Sequence, residues 1–464
     1  MTHVAVVGAY GSAGVAAAQR LADAPEVDRL TLVDDGDPGG GLCILRGCMP
    51  SKDLLSAAAH RHQALEDHRL RGRPDVDLED VVATKEEHVN DFAAHRREAV
   101  HDLAERAGVT FRREAARFVD DRTLEVDGDA VDADYVVVAT GSSATVPDLD
   151  GIEDVSVSTS ADVLDATAFP DSGVVLGFGY VGVELVPYLA AVGEMDLTVI
   201  EHDDRPLDRA HPDFGDEILD CYREEFGVEV LTDTRERAVE PAGDGVRLAV
   251  ERGGHEETVE ADALFAFTGR EPNLRGLGLD ATPLDPGEGW VTDTMQAAGD
   301  PRVFVAGDAT GERMVLHVAK EEGQVAADNV VAHARGDGLE TYDPTTHRVM
   351  FAAAGVYPYA SVGATAAEAR AAGRDPVVVA REASDDGVFR TKDVPRGLAR
   401  LVVARDGTVL GYHGIHHHAD VMAKTMQVVV EGETDVRDLP ARAYHPTTPE
   451  ILDGLFRAAA DELP

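Results

Sequence analysis

Two glycine-rich strand–turn–helix segments constrain the fold of this 464-residue chain more than any other feature. The first has a short apolar strand, Val4 to Val7, an alanine-rich helix and a second strand that ends at Asp34. Glycines in such a turn let the backbone approach a pyrophosphate at the helix N-terminus, and the acid binds ribose hydroxyls. The turn glycines are Gly8, Gly11 and Gly14, one residue more widely spaced than the usual pattern.

The second segment matches the G-x-G-x-x-G pattern without an insertion. It follows a strand from Val174 to Leu176 and opens a helix, and the next strand ends in Glu201. Its glycines are Gly177, Gly179 and Gly182. A glycine pattern in this context is typical of dinucleotide binding. Two such units predict two bound dinucleotides, and FAD with a nicotinamide nucleotide is the pair that we expect.

Three later apolar strands also end in glycine turns, and their order along the chain is informative. A carboxylate after the third strand could accept hydrogen bonds from a ribityl chain. The turn residues are Thr140 and Gly141, Gly269 and Arg270, and Gly307 and Asp308.

Beyond about residue 340 short strands alternate with helices, which predicts an α+β domain. The whole chain is therefore predicted to be α/β, with two Rossmann-like dinucleotide-binding domains, for FAD and NAD(P), and a C-terminal α+β domain. The expected division is 1–147 and 271–338 for the two parts of the FAD and central region, 148–270 for NAD(P), and 339–464 for the C-terminal domain.

The charge is strongly negative, at −45, and the chain has only five lysines. Dispersed acids with few lysines favour solubility at high salt, so we expect a halophilic, cytoplasmic protein. The acidity argues against nucleic-acid binding. We see no signal-peptide pattern and no apolar run long enough to span a membrane, so no membrane partner is expected.

Four residues separate Cys43 and Cys48, which follow a glycine-rich turn and precede a helical pattern. A helix N-terminus near Cys48 would favour a thiolate, and two close thiols suit a reversible disulfide. The alternatives are two structural thiols or half of a metal site. No further Cys or His ligands accompany the pair, so no metal site is predicted. The third cysteine, Cys221, is interpreted as a buried apolar residue of a helix.

With these cysteines, both nucleotide units and Gly-Asp in this order, the chain resembles the flavin-dependent pyridine nucleotide–disulfide oxidoreductases over essentially its whole length. The resemblance implies that Cys43 attacks a substrate disulfide and that Cys48 lies against the flavin as a thiolate. It also implies an ion pair between Lys52 and Glu184 beside the flavin, and a ring at Tyr180 that shields it.

The resemblance assigns two sets of cofactor contacts. The FAD set is Gly8, Gly11, Gly14, Asp34, Gly41, Lys52, Thr140, Gly141, Gly307 and Asp308. The NAD(P) set is Gly177, Gly179, Tyr180, Gly182, Glu184, Glu201, Gly269 and Arg270.

The segment from His445 to Glu450 is similar to the last element of the family. The resemblance implies that His445 protonates the leaving thiolate and that Glu450 orients the imidazole. In the family this pair comes from the partner subunit, which implies a homodimer with shared active sites and a C-terminal dimerisation domain. The alternative is a histidine that merely precedes a helix.

The substrate is expected to be a low-molecular-weight disulfide. A mercuric reductase would have an aromatic residue in place of His445 and a later cysteine pair, whereas no cysteine follows Cys221. Gln324 replaces an arginine expected in glutathione reductases. The acidic, lysine-poor chain is most similar to haloarchaeal reductases of bis-γ-glutamylcystine, and dihydrolipoamide dehydrogenase is the alternative.

Several residues leave specificity open. Arg46 departs from the family motif and is interpreted either as a group that acidifies Cys48 or attracts anionic substrate, or as a surface arginine. Glu201 favours NADH, while His202 and Arg205 could reach the phosphate of NADPH. The resemblance to reductases of small disulfides implies NADPH, so the choice between NADH and NADPH stays open. Residues 60–107 are interpreted as solvated helical faces, and the histidine run 416–418 as an interface or substrate surface.

Overall fold

Twelve α-helices and twenty-four β-strands are present in the computed structural model, which describes residues 1–464. The helices are α1 (Ser12–Ala22), α2 (Leu42–Leu45), α3 (Cys48–Glu66), α4 (Leu78–Ala104), α5 (Ser160–Asp165), α6 (Tyr180–Ala191), α7 (Pro212–Glu225), α8 (Leu316–Arg335), α9 (Ala366–Ala371), α10 (Gly387–Thr391), α11 (Ala419–Glu431) and α12 (Glu450–Glu462).

The strands fall into six sheets. In chain order they are β1 (Thr2–Val7), β2 (Val27–Val33), β3 (Val109–Arg112), β4 (Ala116–Asp120), β5 (Thr123–Val126), β6 (Asp129–Asp132), β7 (Tyr135–Val138), β8 (Ser142–Ala144), β9 (Val157–Ser158), β10 (Ser172–Leu176), β11 (Asp196–Ile200), β12 (Glu229–Leu231), β13 (Thr234–Ala242), β14 (Gly245–Arg252), β15 (His255–Ala261), β16 (Ala263–Ala266), β17 (Arg270–Pro272), β18 (Gln296–Ala297), β19 (Asp300–Val305), β20 (His347–Met350), β21 (Tyr359–Gly363), β22 (Val377–Glu382), β23 (Gly397–Val403) and β24 (Val409–His416).

The first of two compact units is assembled from residues 1–51, 83–144 and 270–344. Its main sheet has the order β18-β19-β7-β1-β2-β3, in which β1 pairs parallel with both β2 and β7. Residues 3–7 of β1 are all buried, as expected for a strand inside a covered parallel sheet. Helices α1 and α8 pack against each other. The glycine turn after β1 therefore lies at the carboxyl end of a central strand, where nucleotides bind in such sheets.

The second unit comprises residues 52–82, 145–269 and 345–464. Its nucleotide-binding part has the parallel order β12-β11-β10-β16-β9, with the glycine turn after the central strand β10. The meander β13-β14-β15 follows in the chain. Both predicted Rossmann-like folds are therefore confirmed.

The C-terminal part of the second unit is an α+β layer, as predicted. Its antiparallel sheet has the order β20-β21-β24-β23-β22, with α11 against β21 and β24, and α12 against β22 and β23. The predicted division into four segments remains a prediction. The two compact units each combine parts of several predicted domains, so they do not test its boundaries.

Two surface assignments from the sequence are wrong at individual residues. Arg61 and His62 on α3 are buried at 7% and 4% exposure. Arg61 donates hydrogen bonds to Ala191 and Glu194, and His62 lies 3.0 Å from a Glu225 oxygen, so these polar groups are buried because each has a partner. His416 is fully buried too, because its Nε2 lies 2.8 Å from the Tyr412 hydroxyl inside the C-terminal layer.

No helix of the chain is both long enough and apolar enough to cross a membrane.

Candidate active site

A disulfide joins Cys43 and Cys48 in the first unit, with the two Cα atoms 4.9 Å apart. Cys43 lies on the short helix α2, and Cys48 is the first residue of α3. Both residues are half-buried. The first-turn N–H groups of α3 and its positive dipole end favour a Cys48 thiolate once the bond is reduced. The site can therefore hold a reversible dithiol/disulfide.

The loop before the cysteines packs closely on the first glycine turn. Gly41 has a φ of 78°, and a Cβ there would lie 2.9 Å from the Tyr10 carbonyl oxygen and 3.0 Å from the Gly11 Cα. Glycine is therefore required at residue 41 for backbone conformation and for space. This contact fixes the approach of the cysteine loop to the N-terminus of α1.

Lys52 and Glu184 form an ion pair in the second unit, with Nζ 2.7 Å from Oε2. The other oxygen of Glu184 accepts the backbone N–H of Phe351 at 3.1 Å, and Lys52 Nζ lies 4.5 Å above the Phe351 ring. The ammonium is thus held by a carboxylate and by a ring face. Lys52 lies on α3, four residues after Cys48 in the sequence.

His445 and Glu450 also lie together. His445 Nδ1 is 3.1 Å from one oxygen of Glu450, and that carboxylate accepts the N–H of Thr447. Glu450 is the first residue of α12, where the helix N-terminus favours its charge. The imidazole of His445 is 82% exposed and the adjacent Tyr444 is 91% exposed. An oriented imidazole on an open surface can exchange protons with a group outside its own chain.

A hydrogen-bonded turn cluster lies at the carboxyl ends of β7 and β19 in the first unit. Ser142 donates to Asp308 at 2.6 Å and accepts from Arg270 at 2.9 Å. Arg270, which the sequence grouped with the nicotinamide nucleotide, is thus placed beside Asp308 in the first unit. Glu322 of α8 accepts the Gly307 N–H at 2.8 Å, and burial raises the pKa of Glu322 to about 7.

The structure of the glycine turn in the second unit shows why glycine occupies these positions. Gly177 has a φ of 91°, and a Cβ on Gly182 would lie 2.4 Å from the Gly177 carbonyl oxygen. Gly179 differs, because a Cβ there would meet no atom of the chain within 4 Å. Packing within the chain therefore does not require glycine at residue 179. The open space beside this residue would allow a ligand to approach the backbone closely.

The acids at the two strand ends are held by backbone donors. Asp34 accepts the N–H groups of Tyr10 and Gly36, at 2.8 and 2.9 Å. Burial nevertheless raises the pKa of Asp34, and these two hydrogen bonds oppose that rise. Glu201 accepts the N–H groups of Phe178 and Asp203, both at 2.9 Å. Each carboxylate is therefore fixed at the edge of its sheet.

The basic groups near Glu201 are already bound to acids. His202 Nε2 lies 2.6 Å from a Glu236 oxygen. Arg205 forms ion pairs with Asp204 and Asp216, at 3.1 and 3.0 Å. Each of these two side chains is therefore already in contact with a carboxylate.

Two models of one protein family match the sequence of this chain. Residues 2–323 match the family model described as pyridine nucleotide-disulphide oxidoreductase, and residues 352–455 match the dimerisation domain of the same family. The chain belongs to the pyridine nucleotide-disulphide oxidoreductase family. This oxidoreductase is thus a flavoprotein of the disulfide reductase group, with a homodimer-type C-terminal domain.

Individual relatives cover nearly the whole oxidoreductase. Mercuric reductase from Streptomyces lividans is 32% identical, over 94% of this chain and 92% of the relative. Dihydrolipoyl dehydrogenase 2 from Haloarcula marismortui is 30% identical, over 99% of this chain and 97% of the relative.

Solved structures have the same fold. The HOCl-induced flavoprotein disulfide reductase RclA from Escherichia coli superposes with a TM-score of 0.82 at 22% identity, covering 98% of this chain and 99% of RclA. LpdA from Mycobacterium tuberculosis gives a TM-score of 0.82 at 23% identity, covering 99% of both chains. At these identities the likeness establishes the fold alone.

Family members bind FAD and NAD(P)H, and the residues of this oxidoreductase fit both cofactors. The Thr140 hydroxyl is buried without a hydrogen-bond partner, which leaves a polar atom for a ligand. Helices α1 and α6 both begin after glycines with no side-chain cap, so their first-turn N–H groups remain for phosphates. A Cβ on Gly8 would lie 2.2 Å from the Ala139 carbonyl oxygen, which accounts for the first glycine of the α1 turn.

The sequence motifs did not indicate Ser142, Phe351 or Glu322. Ser142 directly follows Thr140 and Gly141, so its position in the sequence was a weak indication that it belongs to the site. Phe351 and Glu322 act through contacts with residues 167 and 15 positions away, which no local pattern encodes.

Proposed function

We propose that this oxidoreductase reduces a low-molecular-weight disulfide, with bis-γ-glutamylcystine as the best candidate and NADH as the preferred electron donor. The observation that carries the proposal is the half-buried Cys43–Cys48 disulfide at the N-terminus of α3. The exposed His445–Glu450 pair supplies the proton chemistry that thiol release needs.

The bound FAD supplies the redox group that carries two electrons between the nicotinamide nucleotide and the cysteines. The cysteines then account for the disulfide chemistry. Two electrons and two protons convert the Cys43–Cys48 disulfide to two thiols. A Cys43 thiolate attacks one substrate sulfur, the substrate S–S bond breaks, and the first substrate thiolate leaves and takes a proton from His445.

A second exchange completes the cycle. The Cys48 thiolate attacks the sulfur of Cys43 in the mixed disulfide and re-forms the internal bond. The second substrate thiolate leaves and is protonated. The N-terminus of α3 favours the thiolate form of Cys48, which is the form that attacks.

The decisive assay uses purified enzyme in molar KCl. Bis-γ-glutamylcystine, glutathione disulfide, lipoamide and Hg²⁺ are each supplied with NADH and with NADPH. We expect kcat/KM with bis-γ-glutamylcystine to exceed that with every other acceptor by at least about tenfold. Faster turnover with glutathione disulfide or Hg²⁺ would overturn the substrate assignment.

Dihydrolipoamide dehydrogenase is the second candidate, favoured by the near-complete alignment with the Haloarcula relative. Its substrate is uncharged at the disulfide end, unlike the carboxylate-rich bis-γ-glutamylcystine. Fast turnover with lipoamide alone, in either direction, would establish this alternative.

Arg46 separates the two candidates. It is exposed between the redox cysteines, and we expect it to attract the carboxylates of an anionic disulfide. Arg46→Ala should raise KM for bis-γ-glutamylcystine about three- to tenfold and leave KM for lipoamide within about twofold. Arg275→Ala, which removes a 90% exposed arginine paired with Glu271, is the matched control and should change neither value. Equal KM values in Arg46→Ala and wild type would refute this role.

Glu201 should control the choice of nicotinamide nucleotide. Its fixed carboxylate would bond ribose hydroxyls and repel a 2′-phosphate, and the neighbouring His202 and Arg205 already contact carboxylates. Glu201→Gln keeps the hydrogen-bond acceptor and removes the charge. We expect the ratio of kcat/KM for NADPH to that for NADH to rise about tenfold, which corresponds to about 1.4 kcal/mol.

The control for that measurement is Glu229→Gln, an exposed acid on β12 of the same sheet. It should leave the nucleotide ratio unchanged. A Glu201→Gln enzyme with the wild-type ratio would show that the charge of this residue does not select the nucleotide.

A further inference from the structure

Arg96 is a half-buried cation with no acidic partner, an unusual state in a chain of charge −45. It lies on α4, and its Nη1 donates to the Tyr10 carbonyl oxygen at 3.1 Å. The same nitrogen lies 3.5 Å from the Ser12 hydroxyl, at the start of α1. No carboxylate lies within ion-pair distance, and burial is the only cause that lowers the pKa of this guanidinium.

A buried or half-buried charge without a counter-ion lowers the stability of the fold, so Arg96 is expected to have an anionic partner. The first turn of α1 contains no acid that could supply it. Members of this family bind FAD, the sequence predicts the FAD site at the glycine turn before α1, and the FAD pyrophosphate is an anion. A planar guanidinium suits such an anion because it presents several donors at once.

We propose that Arg96 is an FAD-binding residue that contributes a positive charge to the pyrophosphate site. The role matches the unusual spacing of the turn glycines Gly8, Gly11 and Gly14. The additional residue in this turn places the Tyr10 backbone between two anchors, with its N–H on Asp34 and its carbonyl oxygen on Arg96. Arg96 therefore holds the lengthened turn and adds the charge that binds phosphate.

This inference rests on the FAD site and not on the identity of the disulfide, so its test measures flavin affinity. FAD is removed from the full-length protein, and rebinding is followed by quenching of flavin fluorescence at low and at molar KCl. Arg96→Ala should weaken FAD binding about 10- to 100-fold, the range for loss of a charge-assisted hydrogen bond. Because the site is half-buried, most of that loss should persist at molar salt.

Matched variants separate charge from packing. Arg96→Lys keeps the charge and should bind FAD within about fivefold of wild type. Arg106→Ala removes an exposed arginine just after α4 that pairs with Asp23, and should bind FAD normally. Circular dichroism of each flavin-free variant establishes that it is folded.

Competition against bound FAD supplies a second readout. The dissociation constant of ADP, obtained from its competition with FAD, should rise in Arg96→Ala as much as that of FAD, because both ligands have a pyrophosphate, and the dissociation constant of adenosine should not change. An unchanged FAD dissociation constant in Arg96→Ala, or a lysine variant as weak as the alanine variant, would overturn the proposal. Failure of every disulfide as substrate would overturn only the proposed function.

Discussion

Cys43→Ser should lower disulfide-reducing turnover by about 1,000-fold or more, because serine cannot form a mixed disulfide with the substrate. NADH oxidation by an artificial acceptor such as ferricyanide should stay within about twofold of wild type, since that acceptor does not need the cysteines. Parallel stopped-flow assays with the two acceptors measure both rates. The contrast between them localises the defect to thiol exchange.

Cys221→Ser is the matched control. Cys221 is 3% exposed on α7, and burial raises its pKa well above the usual range, so it is not a reactive thiolate. This variant should retain both activities. A Cys43→Ser enzyme that still reduces the disulfide at an appreciable rate would exclude the proposed attack by Cys43.

His445→Ala should slow disulfide reduction about 100- to 10,000-fold, the range for loss of a general acid. Its exposure and its hydrogen bond to Glu450 suit a proton donor that acts on a group outside its own chain. Phe92→Ala, at an exposed apolar residue on α4, is a control that should retain activity.

Mixed dimers test whether His445 acts across the subunit interface. Cys48→Ser and His445→Ala homodimers should both be inactive. If the site is shared, each mixed dimer has one site with both changes and one intact site. Random reassociation of equal amounts should then restore about a quarter of wild-type activity. No recovery in dimers shown to be mixed by differential tagging would place His445 and the cysteines on the same chain.

Local patterns predicted the parts of the fold that depend on local backbone geometry. The two glycine turns were predictable because residues such as Gly8 and Gly182 have no room for a Cβ. The strands β13, β14 and β15 escaped prediction because charged residues alternate along them, and pairs such as Arg247 and Glu260 face across neighbouring strands. Their apolar content is low for strands of this length.

In the candidate site, too, residues that are close in sequence were predictable, whereas contacts between distant residues were not. Cys43 and Cys48 are close in sequence, so their reaction could be proposed from spacing. The pairing of Lys52 with Glu184 spans 132 residues and came only from the family resemblance. Arg96 had no motif at all, since its significance depends on a partner carboxylate that the tertiary structure does not supply.

The strand order of the main sheet in the first unit affects how the chain folds during synthesis. Strand β1 is synthesised first, yet its sheet is completed only by β19, which begins at Asp300, and α1 is covered only by α8. At ribosomal rates, synthesis of the residues between the end of β7, at Val138, and the start of β19 takes about 8 to 32 s. During that time the apolar edge of β7 has no neighbouring strand and can pair wrongly with other chains. Nascent-chain protection by chaperones therefore matters most before residue 300 emerges.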